Sequence, residues 1–377
     1  MMSKSVCRKE AEKKSKHKMK RTVVLFVGLA VACLVLSNYS APRSYVLSQV
    51  SARNTTTAAA AGFEPEGIVK TQLDIILENA STKDKNVIIT NLNDAWVEPH
   101  SIFDLFLESF HIGNNTRRLL NHLVVVCLDE KAYNRCLALH PHCYQLRIEG
   151  LNSAGEAFFM SPDYLEIVWK KIDFLATILE KGYNFIFTDT DIMWLRDPFP
   201  RFDPEADFQT SCDMFFGNSS SINNLPNTGF NYVKSNNRTI QFLKFWYNSR
   251  KTYPNLHDQD VFKKIVNNTF ITEIGVRLGF LNTAYFGGFC EPSKDFNLVC
   301  TMHANCCVGL KKKVHDLQTM LEDWRRFMSF DPSMQPNSSW SVPRDCRSLS
   351  SRISSRQGNS TMKSSKKRNR RKATLAQ

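Results

Sequence analysis

The segment Phe185–Pro198 reads F-I-F-T-D-T-D-I-M-W-L-R-D-P and constrains the fold more than any other stretch. An apolar run of the kind that forms a buried strand ends in two aspartates, Asp189 and Asp191, spaced i and i+2. In extended backbone such side chains point the same way. Two carboxylates on one face repel unless something positive sits between them. A hard divalent ion does that, and it also holds the phosphates of a nucleotide. The segment therefore predicts a sheet protein with a metal-assisted, nucleotide-using site at a strand end.

Other short apolar runs, at Val87–Thr90, Leu123–Leu128, Tyr144–Ile148 and Phe230–Val233, read as further strands. Helical patterns lie between and after them, at Pro99–Phe110, Asp163–Lys181, Asn236–Lys251 and Leu317–Phe330. The second is the clearest, because Ser161 caps it, Pro162 takes its first position and Gly182 stops it. Strands alternating with helices predict an α/β sandwich with a mainly parallel central sheet. Ligands of such sheets bind at the carboxyl ends of strands, where Asp189 and Asp191 fall.

The net charge of +13 suggests nucleic acid until it is located. Residues 1–21 carry +7 and residues 346–377 carry +10, which leaves −4 for residues 22–345. A mildly acidic body between two basic tails lacks the basic face of a nucleic-acid binder, so no nucleic-acid partner is expected. Residues Thr22–Ser37 are uncharged and mainly apolar. At about 1.5 Å per residue they span roughly 24 Å, short for a bilayer core of about 30 Å unless Lys20, Arg21 and Tyr39 sit at the interfaces. The positive residues all precede this run, which predicts a single type II signal-anchor with the rest lumenal. Its shortness suits a thin Golgi membrane. A cleaved signal peptide is the plainer alternative. The expected organisation is a cytoplasmic tail (1–21), an anchor (22–37), a Ser/Thr/Ala-rich stem (38–64), a catalytic domain (65–346) and a disordered basic tail (347–377).

A lumenal body permits glycosylation and disulfides. Asn-X-Ser/Thr matches occur at Asn54, Asn79, Asn114, Asn218, Asn237, Asn267, Asn337 and Asn359. Nine cysteines follow the anchor, an odd number, so at least one is free or pairs between chains. Short loops suggest the pairs Cys136–Cys143 and Cys290–Cys300. No CxxC pair is present, which argues against a zinc site.

Four motifs carry chemistry. The first is D-T-D. A phosphatase of the haloacid dehalogenase type needs Thr or Val at the fifth position of its Asp-x-Asp motif, and Met193 departs from that. The second is P-N-T-G-F at Pro226–Phe230, a turn entering a strand, in which Asn227 and the small Gly229 allow close approach to a ligand. The third is H-D-Q-D at His257–Asp260, which reads either as a capped helix start or as a contact with sugar hydroxyls at the reacting centre. The fourth is T-M-H-A-N-C-C-V-G-L-K-K-K at Thr301–Lys313. There His303 completes a manganese shell begun by carboxylates, and Lys313 neutralises diphosphate charge on a leaving group.

Together and in this order, these motifs resemble the plant nucleotide-diphospho-sugar transferase family, glycosyltransferase family 77. The resemblance runs from about Val69 to Cys346. It also includes N-V-I-I-T-N-L-N-D-A-W at Asn86–Trp96, D-L-F-L-E-S-F at Asp104–Phe110 and F-G-G-F-C at Phe286–Cys290. It implies a GT-A-like fold, a UDP-sugar donor, Mn2+ or Mg2+, and retention at the anomeric carbon. Members include pectin xylosyltransferases and arabinosyltransferases of wall glycoproteins, so the implied acceptor is a glycan or glycoprotein. It implies that Thr90, Asn91 and Leu92 line the nucleotide site, with Gly309 and Lys313 beside the diphosphate. Asp189, Asp191 and His303 become the metal ligands, and Gln259 and Asp260 lie near the sugar. The family often has acid-Gln-Asn where this chain has Asp258-Gln259-Asp260, and the tail after Cys346 has no counterpart. A carbohydrate-binding relative without turnover is the alternative reading.

Overall fold

The computed structural model describes residues 70–147, 160–331 and 338–346. The expected anchor, stem and basic tail lie outside these residues, as does Ile148 at the end of one expected strand. Among the described residues no helix is long and apolar enough to cross a membrane.

Seven strands form the central sheet, in the order β3-β2-β1-β4-β7-β6-β8. They are β1 (Asn86–Leu92), β2 (Leu123–Cys127), β3 (Cys143–Gln145), β4 (Asn184–Thr188), β6 (Phe208–Met214), β7 (Leu225–Val233) and β8 (Leu278–Phe280). Only β7 runs against the others, pairing antiparallel with both β4 and β6. Three short strands, β5 (Ile192–Trp194), β9 (Phe286–Gly288) and β10 (Thr301–His303), form a second sheet in the order β5-β10-β9.

The inner strands are apolar without alternation because both faces of the sheet are covered. Val87, Ile89, Val124, Val126, Phe185 and Phe187 face one core. That core is completed by helices α1 (Gln72–Ala80), α4 (Pro162–Glu180), α5 (Asn237–Ser249), α6 (Asp258–Ile265) and α7 (Thr269–Glu273). Ile88, Leu92, Val125, Cys127 and Ile186 face the other. It packs under α2 (Ile102–Ile112), α3 (Glu130–Leu139) and α8 (Leu310–Met328). Each fully buried aliphatic or aromatic side chain contributes roughly 1.5–3 kcal/mol, so the layers hold by area rather than by any single contact.

Helix α4 forms as its capping residues predict. Ser161 Oγ accepts from Tyr164 N, Pro162 opens the helix, and Gly182 follows its end at φ +82°. Helix α8 starts seven residues earlier than its pattern suggests, because Lys311–Lys313 hide the apolar spacing of Leu310, Val314 and Leu317. The chain leaves β1 toward β2 and β3 on one side, then returns to place β4 on the other. This reversal sits at the carboxyl ends of β1 and β4, the usual ligand crevice of such sheets.

The bridge Cys136–Cys143 forms as expected. The expected Cys290–Cys300 does not: Cys290 joins Cys306, Cys307 joins Cys346, and Cys300 is free and buried. Cys300 precedes β10, where its carbonyl accepts from Leu195 N. Cys306 lies beyond β10, at a left-handed φ of 53° that turns the chain back toward Cys290.

Candidate active site

Strand β4 ends at Thr188, and the aspartates follow in a tight turn in which Ile192 N donates to Asp189 O at 3.1 Å. Strand alternation therefore does not align the two carboxylates, as the spacing alone suggests. The turn does, and β5 then leads away from it. Trp194, fully buried in β5, anchors the turn from below. Its indole N–H donates to Thr188 Oγ1 at 3.2 Å, and its ring stacks on Phe110 with centroids 4.8 Å apart.

His303 arrives through β10, which pairs antiparallel with β5 and sets His303 opposite Ile192. Backbone pairing thus closes the long sequence gap between the aspartates and the imidazole. His303 Nε2 lies 3.2 Å from Asp191 Oδ1 and 4.0 Å from Asp189 Oδ2. One ligand atom from each residue falls within 4.8 Å of the other two. Lys313, in the first turn of α8, sets its ammonium 2.5 Å from Asp191 Oδ2.

Asp191 is 1% exposed. Burial pushes its carboxyl up, but Lys313 and His303 outweigh that and hold it well below the usual range. Burial likewise pulls His303 down, and Asp191 reverses the sign and raises it. Burial pushes Asp189 up against the pull of Lys171, and the adjacent Asp191 adds to the rise.

The floor of the site is Gly229 in β7, whose carbonyl accepts from Asp189 N at 2.7 Å. A Cβ there would lie 2.5 Å from Asp189 Oδ2 and 2.8 Å from His303 Cε1. Only glycine fits beneath the triad. Two carboxylates and an imidazole around a space that already attracts an ammonium make a suitable donor set for Mn2+ or Mg2+.

Thr90 is fully buried, with its hydroxyl 3.0 Å from that of Thr190, and the Asn91 carbonyl accepts from Thr190 Oγ1 at 2.6 Å. These bonds tie the end of β1 to the aspartate turn. Leu92 is 1% exposed and packs in the core. Gly309 precedes α8 at φ +101° with open space around it, and Lys313 is the residue of that segment that reaches the triad. Gln259 Oε1 accepts from Thr228 N at 3.2 Å. Asp260 points to His257 Nε2 at 3.3 Å and is 43% exposed. His257 caps α6 by accepting from Gln259 N, so the helix-start reading of H-D-Q-D holds for His257.

Sequence reasoning missed Asp213, Asn305 and the Lys171–Asp258 pair. Asn227 Nδ2, Asn305 Nδ2 and Gln259 Nε2 all donate to the Asp213 carboxylate, at 2.8, 2.9 and 3.2 Å. The Lys171 ammonium lies 2.7 Å from Asp258 Oδ2, beneath Thr228, whose hydroxyl donates to the same oxygen. In sequence Asp213 stands as a lone acid in the otherwise uncharged run F-Q-T-S-C-D-M-F-F, with nothing local to mark it as a site residue.

The sequence model of the family described as nucleotide-diphospho-sugar transferase matches residues 118–317. An uncharacterised Arabidopsis thaliana protein is 50% identical over 277 residues, 73% of each chain. The Arabidopsis UDP-D-xylose:L-fucose alpha-1,3-D-xylosyltransferase 3 is 26% identical over 182 residues, covering 44% of this chain and 48% of its own. Among solved structures, apo mouse xyloside xylosyltransferase 1 aligns with 14% identity and a TM-score of 0.35, over 59% of this chain and 98% of that one. The matched span runs from just before β2, through both aspartates and His303, to the helix that supplies Lys313, and this chain belongs to the nucleotide-diphospho-sugar transferase family of glycosyltransferases.

Proposed function

We propose that this enzyme is a metal-dependent, retaining transferase that moves a sugar, a pentose by family analogy, from a UDP-sugar to a glycan or glycoprotein of the cell wall. The observation that carries this reading is the convergence of Asp189, Asp191 and His303 over the glycine floor at Gly229. Those three residues would hold the cation, which when bound supplies positive charge against the donor diphosphate. Lys313 supplies a second positive charge from the chain itself. In the transfer, the anomeric carbon–oxygen bond to the diphosphate breaks and its electron pair leaves with the phosphate oxygen. The acceptor hydroxyl oxygen bonds to that carbon on the same face, and its proton passes to the departing oxygen. The end of β1 at Thr90 and Asn91, joined to the turn through Thr190, backs the nucleotide.

The Golgi lumen, reached through a type II anchor at residues 22–37, is the proposed location. Three disulfides support an oxidising compartment. So does the exposure of Asn79, Asn114, Asn218, Asn237 and Asn267, every glycosylation-type asparagine within the described residues. The test is a panel of UDP-sugars, with UDP-xylose and UDP-arabinose included, incubated with Mn2+ and with chelator. Manganese-dependent release of UDP from one donor is the expected result. Glycan binding without turnover of any donor would leave a carbohydrate-binding protein in its place.

A further inference from the structure

The amide-held carboxylate of Asp213 is a built feature. Strand β6 pairs with β7 through Ser211 opposite Asn227 and Cys212 opposite Pro226, and pairing resumes at Met214 opposite Leu225. Asp213 is the extra residue of that bulge. Bulges beside active sites re-aim a side chain that strand alternation would send elsewhere. Earlier in the same ladder β7 carries its own irregularity, since Thr210 pairs with Asn231 but Ser211 pairs with Asn227. The intervening Thr228–Phe230 stretch contains the glycine floor. The two irregularities lie in one ladder, separated only by the pairs Ser211–Asn227 and Cys212–Pro226; the first leaves Gly229 under the triad and the second leaves Asp213 unpaired.

The distance between them is one side chain. Asn227 Oδ1 accepts from Gly229 N at 3.0 Å while its Nδ2 donates to Asp213. Asp213 therefore lies one side chain away from the glycine floor beneath the triad. Its three amide donors come from three elements, Asn227 from β7, Gln259 from α6 and Asn305 from the loop after β10, and Cys290 Sγ lies 3.6 Å from its Oδ1. All three are neutral. Asp189, Asp191, Asp258 and Asp260 each have a lysine or histidine partner, whereas Asp213 has no ion pair among the described residues. A carboxylate so held has at least one unused lone pair.

Asn305 is in turn clamped. Its Oδ1 accepts from Cys290 N at 3.1 Å, and the Cys290–Cys306 bridge joins the residue after it to that same Cys290. Gly288 leaves room for it, since a Cβ there would meet Asn305 Oδ1 at 2.4 Å.

Building on the transferase reading, we infer that Asp213 is the carboxylate that meets the transferred sugar, and that Asn305 and the Cys290–Cys306 disulfide are the positioning elements that aim it. Asp213 accepts sugar hydroxyls in the bound donor. Its uncompensated negative charge also favours the positive charge that builds on the ring as the bond to the diphosphate breaks. Preorganised charge of this kind is worth about a hundredfold or more in rate.

The experiment uses the full chain, with UDP plus Mn2+ as the binding probe and the donor identified by the panel as the turnover probe. Asp213→Asn keeps the shape and removes the charge. It is expected to leave the affinity for UDP–Mn2+ within about twofold and to lower kcat about a hundredfold. Asn305→Ala and the double variant Cys290→Ala/Cys306→Ala are expected to lower kcat about tenfold, again without loss of UDP affinity. Adding either to Asp213→Asn should lower kcat no further, because each acts through that carboxylate. Asn305→Asp, which sets a second negative charge against Asp213, is expected to be worse than Asn305→Ala. An Asp213→Asn enzyme with kcat within threefold of wild type overturns the inference. So does one that loses UDP–Mn2+ affinity in proportion to kcat, since Asp213 would then be supporting the nucleotide site. If the wild-type chain itself binds no UDP with Mn2+, the transferase reading has failed and takes this inference with it.

Discussion

Two lysine–aspartate pairs flank the middle of β7, alike in chemistry and opposite in consequence. Lys171 and Asp258 lie 2.7 Å apart, with side chains 9% and 4% exposed. The remaining capacity of Asp258 is taken by the Thr228 hydroxyl and by His257, and the ammonium sits over the Phe187 ring at 4.8 Å. This pair ties α4 to α6 and β7 and has nothing left to offer a ligand. Lys313 and Asp191 lie 2.5 Å apart, but the lysine is 19% exposed and enters from the first turn of α8. Its carboxylate is shared with His303 and borders Asp189. Under the proposed function a cation and a diphosphate would replace the contact between Lys313 and Asp191, because the lysine has somewhere to go. A pair enclosed on both sides is a joint of the fold; a pair with one partner open to solvent is exchangeable.

Asp191→Ala should show the largest effect and leave the fold standing. Loss of a metal ligand and of the main partner of Lys313 is expected to lower manganese-dependent turnover by at least about a thousandfold, roughly 4 kcal/mol in the barrier. The partly exposed lysine is then free to solvate, so the melting temperature should change by only a few degrees. Parallel activity and melting measurements check both halves. Turnover near wild type would remove the metal site from the mechanism.

Lys171→Ala should do the reverse and act on stability. It leaves the Asp258 charge buried without its cation, at a cost of about 3–5 kcal/mol. Urea denaturation reads this directly. A Lys171→Ala protein with an unchanged urea midpoint would erase the distinction between the two pairs.

The same pair sets a pH dependence. Burial pushes the Asp258 carboxyl up, but Lys171 and His257 outweigh it and hold it well below the usual carboxylate range. A depressed carboxylate contributes stability that is fully present above its unfolded value, about 3.9, and that is lost as pH falls toward the folded value. Burial likewise pulls Lys171 down, and Asp258 reverses this to a net rise, so the lysine's share is present below about 10.4 and is lost at higher pH. Asp207, whose carboxyl is also pushed up by burial but held down by Arg238 and the Arg277 N–H, adds to the acid limb. The contributions of Asp258 and Asp207 should therefore be constant through neutral pH and fall below about pH 4. Asp258→Asn should lower the plateau and shorten that acid limb. Urea midpoints between pH 3 and 7 decide it, and an acid limb unchanged in the variant would assign it elsewhere.

The contrast also explains what was legible in the sequence. The parallel strands and α4 were visible because their causes are local: continuous apolar runs, a serine cap, a proline and a glycine. The aspartates were visible as a pair, although a turn rather than strand alternation brings them together. His303 was visible only by its residue type, since its place depends on β5 pairing with β10 across the chain. Asp213 was illegible because the bulge that aims it depends on the register of β6 against β7, which no local pattern encodes. The Cys290 pairing was misread for a related reason. Loop length favours the nearer Cys300, but the turn at Cys306 folds back to Cys290 after β10 has run its course. Lys171 looks in sequence like any lysine on the polar face of a helix, and only the packing of α6 over it reveals a buried charge.

The smallest expected effect sharpens the comparison most cheaply. Lys244 in α5 and Glu180 at the end of α4 also lie 2.5 Å apart, the same separation as Lys313 and Asp191, but their side chains are 55% and 43% exposed. Water already solvates both charges well, and holding two long side chains in one geometry costs entropy that offsets the attraction. Lys244→Ala is expected to change stability by less than about 1 kcal/mol, and 0.5 M salt should abolish even that. Urea denaturation at low and high salt measures it against Lys171→Ala in the same buffer. A cost for Lys244→Ala matching that for Lys171→Ala would mean that separation, rather than enclosure, sets the strength of these pairs. The account of Lys313 as an exchangeable partner would then lose its basis, because a contact as short as 2.5 Å would be too strong to give up to a ligand.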